Sequence, residues 1–304
     1  MNKVIIDADP GIDDAFAILL AAESRYIDLL GITIVAGNTG LENGIRNSFK
    51  ILDMCNKDFI PVYKGAEVSL ENRSIEADYV HGKNGFGDLD YEPIRRSTSG
   101  DAIEFLINTV NNNPGEISVI AVGPLTNVAL AIMRDKDFAK NLKSLLIMGS
   151  AKVEGNVTKF AEFNFYQDPH AAKVVFDSEI ENIYLFGLNV TTKLPLTEKY
   201  EEYLKNHDSE LAKTLYQITR LGAAFDRKCG HDGLILNDPL TVAYLIDSNV
   251  AEMMDADVDI AIDGELIGKS FITLKENGKC KVAYDVNPEL FYQILFDTVI
   301  EKKY

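Results

Sequence analysis

Apolar positions in this chain fall into two kinds of segment that alternate along most of its length. Short runs such as "KVIID", "SVIAVG", "LKSLLIMG" and "NIYLFGLN" are apolar at consecutive positions. Longer segments such as "DDAFAILLAAES", "LENGIRNSFKILDMC", "LTNVALAIMRD" and "PHAAKVVFDS" repeat their apolar residues at helical spacing. A strand apolar on both faces is buried on both faces, as in a parallel sheet. The alternation therefore predicts an α/β fold, an open, mostly parallel sheet flanked by helices in a Rossmann-like layering. Such sheets place ligands beyond the carboxyl ends of their strands, so the strand-to-helix turns carry the information. Three segments depart from the pattern. "DYVHGKNGFGDLD" (78–90) is Gly- and Asp-rich and reads as a surface loop. Residues 195–235 read as a helical excursion beside the sheet. "DVDIAIDGELIGKSFITLKENGKCKVAYDV" alternates and turns like a small antiparallel β section, before a closing helix "PELFYQILFDTVI". With no repeat and no low-complexity linker, the expectation is a single domain over 1–304.

Composition narrows the partners. The formal net charge is −17, which repels nucleic acid and anionic membranes and argues against both. Three cysteines, Cys55, Cys229 and Cys280, are widely spaced and form no metal or redox motif. The chain enters a strand at once, without the basic-then-apolar pattern of a leader. No apolar run reaches the roughly 20 residues of a membrane span. A cytoplasmic protein with reduced thiols is the expectation.

One turn resists a purely structural explanation. In "VIIDADPGIDDAFAILLAAES", Asp7, Asp9, Asp13 and Asp14 crowd a strand end and the first turn of a helix. Helix capping and dipole effects account for one or two of them, at about 1 kcal/mol each. A hard divalent cation accounts for all four. Calcium suits the site better than zinc, because neither His nor Cys accompanies the acids. The absence of GxGxxG removes the usual dinucleotide reading. A magnesium-dependent aspartate-nucleophile phosphatase also starts from an acidic strand end, but its Asp-x-Asp is followed by Gly and Thr rather than Pro, Gly and Ile.

"DADPGIDDA" resembles the signature of the nucleoside hydrolases, the inosine-uridine preferring family that cleaves N-ribosidic bonds. "ITIVAGN", "VHGKNGFGD", "VGPLTNVALA", "LIMGS", "GNVTKFAEFNFYQDPHAA" and "NDPLTVAYLI" follow in family order and span most of the chain. The resemblance implies a ribonucleoside hydrolase with one calcium ion per subunit. It also implies association as a homodimer or homotetramer. The implied ligands are Asp9, Asp14, the Val122 carbonyl and Asp238, with water and the ribose 2′- and 3′-hydroxyls completing the shell. Asp13 is implied as the general base for water, and Asn156, Glu162 and Asn164 as the residues gripping ribose. Asn38 falls beside water and sugar, and Asp7 behind the turn. His81 matches a loop histidine near the base, the first candidate to contact or protonate it.

Asn237 occupies the substrate-binding position before the late aspartate. There one family branch has histidine and another tryptophan. Asparagine donates a hydrogen bond but is no general acid near neutral pH. The preferred base is thus open, with pyrimidine or modified nucleosides better placed than inosine. His231, Phe225 and Tyr216 are further candidates for the base end. A non-catalytic ribose or nucleoside binder is the alternative, and the extra acid Asp13 beside the ligands counts against it.

Overall fold

The computed structural model describes residues 1–73, 75–94, 96–152 and 154–303. Its framework is a nine-stranded sheet built from β1 (Asn2–Ala8), β2 (Ile27–Ile34), β3 (Val62–Lys64), β4 (Ile117–Ala121), β5 (Ser144–Met148) and β6 (Ile183–Phe186). A separate two-stranded ladder, β7 (Pro195–Thr197) with β8 (Gly233–Ile235), lies beside it. The C-terminal β9 (Ala251–Ile260), β10 (Ser270–Leu274) and β11 (Cys280–Val286) complete the main sheet, in the order β10-β9-β11-β6-β5-β4-β1-β2-β3. From β3 through β11 every pairing is parallel, whereas β9 runs antiparallel to β11 and β10 antiparallel to β9. The expected mostly parallel sheet with an antiparallel C-terminal section is therefore the fold observed.

The consecutive apolar residues of β1 do what a doubly covered strand requires. Val4, Ile6 and Ala8 join one hydrophobic cluster and Ile5 the other, all fully buried. Helix Ile12–Glu23 packs on the first face with helix Pro239–Ile246. Helices Thr126–Arg134 and Pro169–Asp177 cover the second face. Chain order runs outward from β1 to β2 and β3, then restarts on the other side with β4. That reversal opens a crevice beyond the carboxyl ends of β1 and β4, the usual ligand position in such sheets.

The excursion at 195–235 is helical as expected, with helices Glu198–Asn206 and Glu210–Lys228. The β7–β8 ladder clamps its two ends, pairing Pro195 with Ile235. Segment 78–90 is less superficial than its composition suggests. Its short helix Asp78–His81 and the turns after it pack on helix Glu210–Lys228, burying His81 and Phe86. Gly87 adopts φ +64°, and a Cβ there would drive into the Ile218 backbone. Among the described residues no helix is long and apolar enough to cross a membrane.

Candidate active site

The acidic turn forms because Pro10-Gly11 ends the strand and frees helix Ile12–Glu23 to start at once. Asp14 caps that start, its Oδ2 accepting from the Gly11 N–H at 2.9 Å. The same oxygen accepts from the Asn38 side-chain amide at 3.0 Å, while the Asn38 backbone N–H donates to Asp9 Oδ2 at 2.6 Å. A Cβ on Gly37 or Gly123 would collide with the Asp9 carboxylate, so two glycines make room for it. Asp7 lies one layer deeper, accepting from Thr33 Oγ1 at 2.5 Å and Asn127 Nδ2 at 2.7 Å. Burial pushes its carboxyl up to about 7.

Asp238, at the start of helix Pro239–Ile246, brings a further buried acid to this turn. Asp13, Asp14 and Asp238 each offer a carboxylate oxygen within 4.8 Å of the others. Asp9 lies outside that trio but feels the charge of Asp14 and Asp13. Oδ1 of Asp9, Asp13 and Asp14 is in each case buried without a hydrogen-bond partner. Such orphaned acceptors cost free energy, and unpaired charge costs more. Burial first, then the neighbouring acids, hold Asp9 and Asp238 well above the usual carboxylate range and raise Asp14 to about 7. A cation here would satisfy the stranded oxygens and relieve the repulsion. An all-oxygen donor set without His or Cys fits a hard divalent ion. The Val122 carbonyl can join it, since Asn164 Nδ2 occupies only one of its lone pairs, at 2.8 Å.

Above this floor is a cavity of about 510 Å³. Asp13, Asn38, His81, Val122, Asn156, Glu162, Asn164, Asn237 and Asp238 all line it, whereas Asp9 and Asp14 lie beneath the lining. Nine residues distributed from position 13 to position 238 thus meet at one surface. Glu162 caps helix Phe163–Gln167, accepting from the backbone N–H groups of Asn164, Phe165 and Ser150, and burial still raises it to about 7. Asn164 gives its amide hydrogens to the Val122 and Met148 carbonyls, so its Oδ1 is what remains to offer. Asn156 is the converse: its Oδ1 accepts from Phe163 N–H at 2.9 Å, leaving the NH₂ group.

The comparisons with known proteins decide the lineage. The sequence model described as "Inosine-uridine preferring nucleoside hydrolase" matches residues 4–293. The chain belongs to the nucleoside hydrolase family. It is 36% identical to uridine nucleosidase 1 of Arabidopsis thaliana over 89% of this chain and 82% of the relative. It is 32% identical to the pyrimidine-specific ribonucleoside hydrolase RihB of Escherichia coli, over 98% and 97%. The solved plant nucleoside hydrolase PpNRh1 superposes with a TM-score of 0.92, at 33% identity and 98% coverage of both chains. Enzymes of this family hydrolyse the N-glycosyl bond of ribonucleosides.

At the far end of this nucleoside hydrolase cavity, His81 accepts a hydrogen bond from the Ile12 N–H through Nδ1, at 3.0 Å. A backbone N–H can only donate, so the ring is the neutral Nε2–H tautomer. Burial also lowers its proton affinity. His81 is thus built to donate a hydrogen bond from Nε2, not to arrive as an imidazolium. A Cβ on Gly11 would strike His81 Nδ1, which makes that glycine a condition of the contact. Asn237 turns its amide to Asp13, Nδ2 to Oδ2 at 3.2 Å, and its own Oδ1 is buried without a partner. His231 and Phe225 reach the lining, but Tyr216 does not, lying under the Lys205 ammonium instead. Sequence reasoning missed Tyr79 and Asp226. Tyr79 tilts against Phe225 with ring centroids 5.1 Å apart, and Asp226 is half-buried at the same end. Tyr79 lay within a quoted motif, beside His81. Nothing in the local pattern marked Asp226.

Proposed function

We propose that this protein hydrolyses ribonucleosides to ribose and free base with one calcium ion per subunit, Asp13 acting as general base, and that pyrimidine ribonucleosides are among its substrates. The observation that carries the reading is the floor of the cavity, where buried acids leave three carboxylate oxygens unpartnered beside the exposed edge of Asp13. Asp9, Asp14, Asp238 and the Val122 carbonyl would hold the ion. When bound, it would fix the ribose 2′- and 3′-hydroxyls and acidify the attacking water.

The remaining chemistry belongs to the chain. Asp13 takes the proton of water as its oxygen bonds to C1′, and the Asn237 amide fixes which carboxylate oxygen faces the reaction. Breaking the C1′–N bond sends its electron pair to the base and leaves positive charge on the ribose. Glu162 and the Oδ1 of Asn164 are acceptors oriented beforehand by backbone hydrogen bonds, so they stabilise that charge without reorganising. Asn156 keeps two N–H donors for a ribose oxygen. The His81 Nε2–H is placed to hydrogen-bond the departing base. The uridine and pyrimidine relatives support the substrate class. Base release from a panel of ribonucleosides, before and after chelation, tests this. Release that vanishes on chelation and returns with calcium is expected, with 2′-deoxyuridine turned over poorly. Undiminished release after chelation would overturn the metal-dependent reading.

A further inference from the structure

A base leaving as an anion needs a proton, and this cavity supplies one poorly. Its donors at the base end are the neutral Nε2–H of His81 and the amide of Asn237, whose Nδ2 is already turned to Asp13. The electrostatics point elsewhere. Among the described residues the lining contains five carboxylates, Asp13, Glu154, Glu162, Asp226 and Asp238, and neither lysine nor arginine. At the base end Asp226 is half-buried, and one of its oxygens accepts from the Ile235 N–H at 2.8 Å. The faces of Tyr79 and Phe225 meet there at 55°. Aromatic faces beside a partly desolvated carboxylate form a receptor for a flat cation.

We infer that this site accepts cationic ribosides, those in which ribose is attached to the quaternised nitrogen of an aromatic heterocycle, and prefers them to neutral nucleosides. The inference rests on the hydrolase reading above and extends it to another substrate class. The chemistry then matches the residues present. Water adds to C1′ and loses its proton to Asp13. The C1′–N⁺ bond breaks, and its electron pair returns to the heterocycle, which leaves neutral. No acid is required at the base. Asp226 and the two rings stabilise the ground-state cation, and the carboxylates near the ribose receive the charge as it moves there.

The test compares two ribosides and two free bases on calcium-loaded protein at pH 8, above the ordinary imidazole range. The N-riboside of pyridine-3-carboxamide is a permanent cation, and uridine is neutral. A kcat/KM about tenfold higher for the pyridinium riboside is expected. Binding is read separately, by calorimetry with the 1-methylpyridinium-3-carboxamide cation against neutral pyridine-3-carboxamide. The cation is expected to bind about tenfold tighter, with the advantage shrinking as salt is added. Asp226→Asn retains an acceptor for the Ile235 N–H while removing the charge, and is expected to erase most of that ratio. Cleavage of uridine with no preference for either cation would overturn the inference and leave the hydrolase reading standing. Cleavage of neither riboside would overturn both. A cation preference that survives Asp226→Asn would overturn the role given to Asp226.

Discussion

The tripeptide Asp-Ala-Asp occurs twice in this chain, at 7–9 and at 255–257, with opposite results. In both places the alanine is fully buried. Around β9 the aspartates point outward and each finds a cation: Asp255 meets Lys281 at 3.0 Å, Asp257 meets Lys275 at 2.7 Å, and Asp259 meets Lys173 at 3.0 Å. Hydrogen bonds from those lysines hold all three carboxyls below the ordinary range. At the end of β1 the aspartates are enclosed, lack any lysine, and are held above it. The same residues are thus a solvated edge in one strand and a charge in want of a counter-ion in the other. What separates them is position in the sheet. β9 lies one strand from the sheet edge, beside β10, whereas β1 lies well inside it and is covered on both faces.

The contrast can be broken first by chemistry. Asp13→Asn is expected to lower kcat by about 10²–10⁴-fold, the range of a lost general base. Its melting temperature without calcium is expected to hold or rise, since a buried like charge has gone. A normal kcat would remove Asp13 from its role. Next in size is the ion itself. Calcium at a hundredfold excess over its Kd is expected to stabilise the protein by about 2.7 kcal/mol. Asp238→Asn would lose most of that gain, read as the calcium-dependent shift in Tm. Absence of any shift in the unaltered protein would contradict the metal assignment.

Proton binding sharpens the comparison further. Asp7, Asp14 and Glu162 are raised to about 7 in the folded, ion-free chain. Unfolded carboxyls titrate near 4, so between about 4 and 7 the folded state binds more protons. These groups therefore make ion-free protein less stable as the pH rises through that window. The β9 acids, shifted the other way, contribute stability that is lost as the pH falls through their lowered values. Urea midpoints with chelator and with calcium would separate the two, the first sloping downward from pH 4 to 7 more steeply than the second. The smallest effect belongs to Asp257→Asn, expected to leave activity and calcium response unchanged and to shift the midpoint barely, as surface pairs do.

Much of this was legible because strand and helix periods are local. The continuous "VII" before Asp7 marked a doubly covered strand, and "DVDIAI" marked a one-sided one. The cluster of acids at 7–14 announced itself by a repulsion that helix capping could not absorb. Other features were set only by long-range packing. The partnership of Tyr79 with Phe225 and Asp226 exists because segment 78–90 lies on helix Glu210–Lys228, a contact between positions about 140 apart. The His81 tautomer is dictated by one backbone N–H at residue 12. The turn of Asn237 toward Asp13 spans 224 residues. Composition carries no trace of such pairings.

The Val122 peptide has a consequence for how this site can change. Its N–H donates to the Asp7 carbonyl at 2.9 Å, and its oxygen is clipped to the Met148 carbonyl through the two donors of Asn164. Asp9, Val122 and Met148 stand at the tips of three neighbouring parallel strands, so the separations between them are multiples of the ladder spacing, about 4.8 Å. The sheet acts as a ruler, and no single substitution rescales a ruler. The parts facing the base, at 78–90 and 225–237, hang from loops and a helix instead. A lineage can redraw those freely, retuning which leaving group it accepts, while the foundation on which the sugar rests keeps its measurements.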